Sequence, residues 1–189
     1  TENVDVNKDH LTIKSENGSA STTIEPEITW DYVFEVTANY VNISGFTIEG
    51  GDSAGIYLGS AVDHCNISNN NIFGLDGIYL NEANYNIIAN NQIGDRSAQG
   101  GYGVTLYNSH ANLLINNTVI NFGGWGVAIE GSNNVVSNNS ICFNPEPGVM
   151  LSGSNNTLAN NNISDNGMGL SLSNARDSEI SPNLILRSW

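Results

Sequence analysis

Residues 126–141 read Gly-Val-Ala-Ile-Glu-Gly-Ser-Asn-Asn-Val-Val-Ser-Asn-Asn-Ser-Ile, and most of the chain repeats this pattern. A Gly followed by apolar residues at the first and third positions recurs every 21 to 26 residues, at Gly55, Gly77, Gly103, Gly126, Gly148 and Gly169. An Asn pair returns in step with it, at Asn69-Asn70, Asn90-Asn91, Asn116-Asn117, Asn138-Asn139 and Asn160-Asn161. A further Asn precedes the pairs, at Asn86, Asn112, Asn134 and Asn156, with Cys65 and Ser178 at the ends of that series. Repeats of this length are typical of stacked architectures.

The apolar residues of one unit alternate with polar ones in short bursts, as in Ile56 and Leu58, then Ile67, then Ile72. Period-two bursts broken by Gly and Asn predict short β-strands, whereas the spacing of an amphipathic helix is missing from the sequence. A unit of about 22 residues cannot bury its apolar face alone, so the units must stack. The sequence therefore predicts an all-β, single-stranded parallel β-helix, a solenoid of about eight turns and roughly 38 Å.

Stacking brings equivalent side chains into columns, because neighbouring strands lie about 4.8 Å apart. One apolar column is Ile56, Ile78, Val104, Val127, Val149 and Leu170; another is Leu58, Leu80, Leu106, Ile129, Leu151 and Leu172. An Asn column suits such a stack, since each amide can donate to one turn and accept from the next. We assign the second Asn of each pair to a left-handed corner and the repeat Gly to the other corner.

The motifs Gly-Ile-Tyr-Leu at Gly55 and Gly77, and Asn-Asn-x-Ile at Asn138 and Asn160, resemble the right-handed parallel β-helix repeats of the NosD and CASH families. The name CASH denotes carbohydrate-binding proteins and sugar hydrolases. The resemblance extends from about residue 3 to residue 186. It implies a right-handed coil in an extracellular or cell-surface protein, often archaeal or bacterial, that handles polysaccharide.

The chain length of 189 residues indicates one domain, with irregular first turns over residues 1–32 and regular repeats over 33–189. Because the pattern is already under way at Thr1, we expect a piece of a longer surface protein that carries further domains. The formal net charge of −14 predicts no binding to nucleic acid and disfavours anionic membrane surfaces. No apolar run is long enough for membrane insertion.

Outward-facing aromatic residues form a candidate binding strip. The position two residues after the repeat Gly holds Tyr57 and then Tyr79, and the next outward position holds Asn81 and then Tyr107. The loops that lead into these strands end in Tyr102 and Trp125, and such amphipathic rings suit the faces of sugars. We predict a polysaccharide-binding strip of Tyr57, Tyr79, Asn81, Tyr102, Tyr107 and Trp125. The alternative is that stacked tyrosines simply favour strands and cover a sheet.

Acidic residues in the same loops form a candidate catalytic set. Asp52, Asp76 and Asp95 fall on consecutive turns, so two carboxylates could lie about 5–10 Å apart, a range that spans both glycosidase geometries. Arg96, in a long unit with extra residues within 94–102, could clamp a uronic or sulfated sugar, and Glu130 lies nearby. The acids could equally bind calcium or simply begin turns. In lyases with this scaffold a base such as Arg or Lys acts beside calcium, but Arg96 has no second cation with it.

Three functional hypotheses follow. The leading one is a polysaccharide-binding module of a surface protein; the alternatives are a hydrolase or lyase acting on acidic glycans, and a structural spacer of a cell-surface layer. A copper site, which the name NosD suggests, lacks aligned ligands, since His64 and His110 occupy different positions of the repeat. Cys65 and Cys142 lie three turns apart, about 14 Å, so we predict no disulfide between them.

Overall fold

A computed structural model describes residues 1–96 and 100–187 of the chain as a stack of short β-strands. Within these residues there is no α-helix, and no helix has the length and apolarity to cross a membrane. The strands are β1 (Val4–Val6), β2 (Thr12–Lys14), β3 (Thr23–Ile24), β4 (Phe34–Val36), β5 (Asn42–Ser44), β6 (Thr47–Glu49), β7 (Ala54–Leu58), β8 (Asn66–Ser68), β9 (Asn71–Phe73), β10 (Asp76–Asn81), β11 (Ile87–Ala89), β12 (Gln92–Gly94), β13 (Val104–Tyr107), β14 (Leu113–Ile115), β15 (Thr118–Ile120), β16 (Val127–Glu130), β17 (Val135–Ser137), β18 (Ser140–Cys142), β19 (Pro147–Ser152), β20 (Thr157–Ala159), β21 (Asn162–Ser164), β22 (Met168–Leu172), β23 (Glu179–Ile180) and β24 (Leu184–Leu186).

Every third strand belongs to the same parallel sheet, which gives three sheets of eight strands each. The first sheet runs β1-β4-β7-β10-β13-β16-β19-β22, the second begins with β2 and the third with β3. Three consecutive strands therefore make one layer, and β10, β11 and β12 are the fourth. Eight layers are separated by seven steps of about 4.8 Å, or about 34 Å in all. The predicted all-β parallel β-helix is confirmed.

The predicted apolar columns form the core. The strand register pairs Ile56 with Ile78 and Leu58 with Leu80, and it continues in this way to Leu170 and Leu172 in the last layer. The column members are at most 1% exposed up to the seventh layer, whereas Leu172, in the last described layer, is 54% exposed.

Buried Asn residues form hydrogen-bonded ladders along the axis. The main-chain N–H of Asn91 donates to Oδ1 of Asn117 at 2.9 Å, and the Asn91 side chain donates to the same atom at 3.0 Å. The second predicted series does the same, with Asn86 N–H donating to Asn112 Oδ1 at 2.8 Å. A third, short ladder joins Asn144 to Asn166. This ladder was not predicted, although the two residues stand 22 positions apart in equivalent places of the repeat.

The corner assignment within each Asn pair was wrong. The left-handed residue is the first of the pair, with φ of 57° or 58° at Asn69, Asn90, Asn116, Asn138 and Asn160. The second residue is buried and belongs to the ladder. The turn of the chain at the first Asn sends its own side chain into solvent and leaves the next one pointing inward.

The role assigned to the repeat glycines was also wrong, because none of Gly55, Gly77, Gly103, Gly126 and Gly148 has a positive φ. These glycines are needed because neither the core of their own layer nor the backbone of the next layer leaves room for a side chain. A Cβ atom at Gly55 would lie 2.7 Å from Cγ2 of Ile72, and one at Gly126 would lie 2.7 Å from the carbonyl oxygen of Gly148. A side chain there would displace a core side chain of the same layer or the backbone of the next layer.

Candidate functional site

Three columns on the outer side of the first sheet bring the predicted aromatic residues together. The first holds Asp76, Tyr102 and Trp125 in successive layers, joined through the Gly77 N–H bond to Tyr102 O at 2.9 Å and the Gly103 N–H bond to Trp125 O at 3.1 Å. The second column runs Tyr57, Tyr79 and Thr105. The third runs Asn81, Tyr107 and Glu130. The six predicted binding residues thus lie on one surface, spread over the third to sixth layers.

Tyr57 is packed between other aromatic rings. Its ring stacks on Tyr32 of the layer before, with centroids 4.2 Å apart, and it meets Tyr79 of the layer after at 5.6 Å. Its hydroxyl oxygen accepts a hydrogen bond of 3.0 Å from Nδ2 of Asn81. Tyr57 and Asn81 therefore support the strip, whereas Tyr79 borders an open cavity. Tyr32 was not predicted as part of the strip because it lies in the long connection before β4, outside the repeat.

A cavity of about 250 Å³ opens beside Tyr79, lined by Asp76, Tyr79, Tyr102 and Thr105; we call it the tyrosine cavity. Tyr102 is 41% exposed and rests against Trp125, with ring centroids 5.1 Å apart. Gly101 makes this arrangement possible, since it adopts φ of +66° and its α-carbon lies against the Leu75 carbonyl, where a Cβ would overlap. Trp125 thus holds Tyr102 from the side away from Asp76.

Asp76 is the acid of the tyrosine cavity. Burial raises the pKa of its carboxyl group, and the hydrogen bond that the Tyr102 N–H donates to Oδ1 at 2.6 Å opposes this shift in part. A carboxyl group of this kind stays protonated to higher pH than an exposed one, and in that form it can donate as well as accept.

The hydroxyls of Tyr79 and Tyr32 stay protonated at neutral pH. Burial is the main reason that the pKa of Tyr79 is raised, and the neighbouring Tyr57, Tyr107, Glu130 and Asp76 add to the shift. The pKa of Tyr32 is raised by burial first, and then by Tyr57 and other neighbours. Both hydroxyls are therefore available as hydrogen-bond donors.

The three predicted acids do not form one site. Asp76 pairs with Ala54, so Asp52 lies two residues upstream of the equivalent position. Asp95 follows Gly94, which pairs with Phe73, and so it corresponds to Gly74. Asp52 and Asp95 line a second cavity of about 260 Å³ together with Glu49, Phe73, Arg96 and others; we call it the arginine cavity. Residues 97–99 of the insertion lie outside the described residues.

Arg96 is engaged in the arginine cavity. Its Nη2 atom lies 2.8 Å from Oε1 of Glu49, and its guanidinium carbon lies 4.3 Å from the centre of the Phe73 ring. The side chain remains 62% exposed. Arg96 is thus paired with a carboxylate away from the tyrosine cavity, while Glu130 lies on the opposite side of Tyr79 from that pair, in the column of Tyr107.

Within residues 1–96 and 100–187, no group of three or more His, Cys, Asp or Glu side chains is placed to bind a metal ion. Calcium binding therefore stays a prediction.

Cys65 and Cys142 are free thiols, and burial raises the pKa of each. His10 and His64 stack with Tyr40 and Tyr85 in an exposed row at another corner, with centroids 4.7, 5.0 and 5.3 Å apart. This row was not recognised from the sequence.

Residues 32–185 match the family described as the right-handed beta helix region. The match covers most of the chain, which therefore belongs to the right-handed β-helix family. No curated protein sequence matches the chain.

Several solved structures share the fold. A double mutant of the periplasmic alginate epimerase AlgG is 18% identical with a TM-score of 0.69, covering 86% of this chain and 49% of that one. The Dettilon tailspike protein is 13% identical with a TM-score of 0.69, covering 96% and 46%. A mutant of DFA-IIIase from Arthrobacter chlorophenolicus, in complex with DFA-III, is 14% identical with a TM-score of 0.68, covering 100% and 57%. The chain spans about half the length of these structures, and at such identities the likeness concerns the fold alone.

Proposed function

We propose that this protein is an extracellular polysaccharide-binding β-helix module of a surface protein and that the tyrosine cavity is its glycan site. The observation that carries the proposal is the cavity itself, where accessible aromatic rings meet Asp76 and Thr105 within one concave surface. Aromatic rings with a few convergent polar groups are the usual composition of ligand pockets. The similarity to an alginate epimerase and to a tailspike protein supports this direction, as does the narrower resemblance to NosD and CASH proteins.

Each group in the cavity has a task in this proposal. Tyr79 and Tyr102 offer ring surface to the apolar faces of sugar rings, while the Tyr79 hydroxyl donates to a sugar oxygen. Asp76 and Thr105 supply the acceptors for sugar hydroxyls. Tyr107 continues the surface along the axis, so that a chain of sugars would lie across the fourth and fifth layers.

Affinity electrophoresis against a panel of neutral, amine-bearing and acidic polysaccharides tests the proposal. We expect Tyr79→Ala and Tyr102→Ala each to weaken binding by about tenfold or more, as is usual for a central aromatic contact. The matched control is Tyr85→Ala, because Tyr85 is 58% exposed at a distant corner and its column holds Ala111 in the next layer. Binding that survives both cavity variants would contradict the proposal.

A hydrolase is the second candidate, favoured by the carboxyl group of Asp76. Its pKa is raised by burial, as a proton donor requires, and Glu130 lies on the far side of Tyr79 as a second carboxylate. A lyase acting on acidic glycans has less support, since Arg96 is paired with Glu49 in the other cavity. Release of reducing ends from a bound polysaccharide, abolished by Asp76→Asn with binding retained, would establish the hydrolase; binding without product would leave a binding module.

A further inference from the structure

We propose that the tyrosine cavity selects polysaccharides without acidic groups and binds them more tightly when their sugars carry protonated amines. This inference rests on the proposed function and names the chemical class of its ligand. It departs from the expectation of an acidic glycan that the alginate epimerase fold and Arg96 would suggest.

The charges around the cavity are all negative. Glu130 is close enough to Tyr79 to influence the ionisation of its hydroxyl, and Asp76, within the cavity, adds a negative charge in its ionised form. Glu35 occupies the outward position before Tyr57 in the same column, and Asp31 precedes Tyr32. A glycan that follows the strip along the axis therefore meets carboxylates at both ends of the aromatic surface.

The positively charged residues are either far from the tyrosine cavity or already paired with a carboxylate. All five Lys and Arg residues are among those described, and none of them lines the tyrosine cavity. Lys8 and Lys14 belong to the first layer, three steps or about 14 Å along the axis from Tyr79. Arg176 and Arg187 belong to the last layer, four steps away, about 19 Å. Both separations exceed the Debye length of about 10 Å at 0.1 M salt.

Arg96, the fifth cation, is nearer along the axis but is held by Glu49 at 2.8 Å in the other cavity. A uronic or sulfated sugar bound at Tyr79 would therefore place its charge beside Asp76 and Glu130 without an opposite charge. Like charges brought together in this way weaken binding. A protonated amine would gain from the same carboxylates and from the faces of Tyr79 and Tyr102, which attract cations.

The experiment compares three hexasaccharides of one linkage: glucose, glucosamine and mannuronate, all β-1,4-linked. Titration calorimetry at pH 6, where most of the amines are protonated, is carried out in 100 mM and 500 mM NaCl. At low salt we expect glucosamine to bind at least about fivefold more tightly than glucose, and mannuronate about tenfold more weakly. High salt should bring the three affinities together, with glucose changing least.

Glu130→Gln is the diagnostic variant. It should weaken the glucosamine oligomer by about three- to tenfold and change the glucose oligomer by less than twofold. Glu16→Gln is the matched control, since Glu16 is exposed in the first layer and its replacement removes the same charge far from the tyrosine cavity. Equal loss in both variants would mean that net charge, and not the site, controls selectivity, which would overturn the inference.

The inference and the proposed function fail in different ways. If mannuronate binds as tightly as glucose at low salt, or glucosamine no more tightly, the charge selectivity is refuted while the glycan site stands. If none of the hexasaccharides and none of the polysaccharides of the panel bind, the proposed function itself is refuted.

Discussion

Replacing Asn117 in the middle of a ladder is expected to destabilise the fold strongly. The side chain is 1% exposed. Its Oδ1 accepts from the main-chain N–H and the Nδ2 of Asn91, at 2.9 and 3.0 Å. Its Nδ2 donates to Ile88 O, Ile115 O and Asn139 Oδ1, at 2.9, 3.1 and 3.1 Å. Asn117→Ala would thus remove five hydrogen bonds to groups in three successive layers.

The magnitude follows from those partners. The buried main-chain N–H of Asn91 would lose its acceptor, which costs about 1–3 kcal/mol, and each of the other four hydrogen bonds contributes about 0.5–1.5 kcal/mol. Relaxation of the structure and water that enters the space recover part of this loss. We therefore expect Asn117→Ala to lower the free energy of unfolding by about 3 kcal/mol. Urea denaturation followed by circular dichroism measures the change.

Asn116→Gly provides the control, since Asn116 is the exposed left-handed neighbour at φ of 57° and Gly adopts this conformation readily. It should change the free energy of unfolding by less than about 0.5 kcal/mol. A loss at Asn117 below about 1 kcal/mol, or equal to that of the control, would refute the idea that the ladder holds the layers together.

Asn117→Asp separates lost hydrogen bonds from lost volume, because the two side chains have the same shape. A carboxylate cannot donate, and burial should raise its folded pKa above the unfolded value of about 3.9. A raised pKa means that the acid form is the one that the fold tolerates. The penalty relative to wild type should therefore be smaller at pH 4 than at pH 7, and an equal penalty at both would contradict the argument.

Three further outcomes are expected. Gly55→Ala should lower the free energy of unfolding by about 1–3 kcal/mol, seen as a lower thermal midpoint, because the new Cβ would meet Ile72 at 2.7 Å. Gly59→Ala should be nearly neutral, because its nearest neighbour lies at 3.5 Å. Cys65, 1% exposed, should react with a thiol reagent in denaturant but not in the native state. Because the folded pKa of Tyr79 is raised, the native state should lose stability as pH rises above about 10, and Tyr79→Phe should reduce that loss in alkaline denaturation.

The fold could be predicted because the repeat constrains every layer in the same way. An inward position tolerates Ile, Leu or Val whatever the neighbouring loop does, so the columns appear directly in the sequence. The corner was misassigned because both members of the Asn pair are Asn, and Asn suits a left-handed turn as well as a buried ladder.

The second layer, which departs from the Asn-Asn pattern, shows which member of the pair forms the left-handed corner. Where later layers have Asn69-Asn70, the second layer has Gly45-Phe46. The N–H of Phe46 donates to Oδ1 of Asn70, so Phe46 is equivalent to Asn70. Gly45 has φ of +79° and Phe46 is 6% exposed. Gly suits the left-handed position and Phe the core, which identifies the first residue as the corner.

The candidate site was only partly predictable because loops do not share the period of the strands. The strands β6 and β7 are separated by four residues, and β9 and β10 by two, so Asp52 and Asp76 occupy different positions although they fall on consecutive turns. The tyrosines were placed correctly relative to one another because they stand on strands whose register is fixed. Tyr32 stands on a long connection, and only its contact with Tyr57 reveals it.

The division between inward and outward positions explains how a uniform scaffold can hold a local site. Along one outward column the side chains change from Tyr79 to Thr105, and then to Ala128 and Met150, which are 1% and 9% exposed. The inward neighbours stay aliphatic through the same layers. Because the ladders and apolar columns stabilise each layer without help from outward residues, those residues are free to change charge and shape. An accessible aromatic surface confined to a few layers is therefore better explained by a ligand than by the needs of the fold.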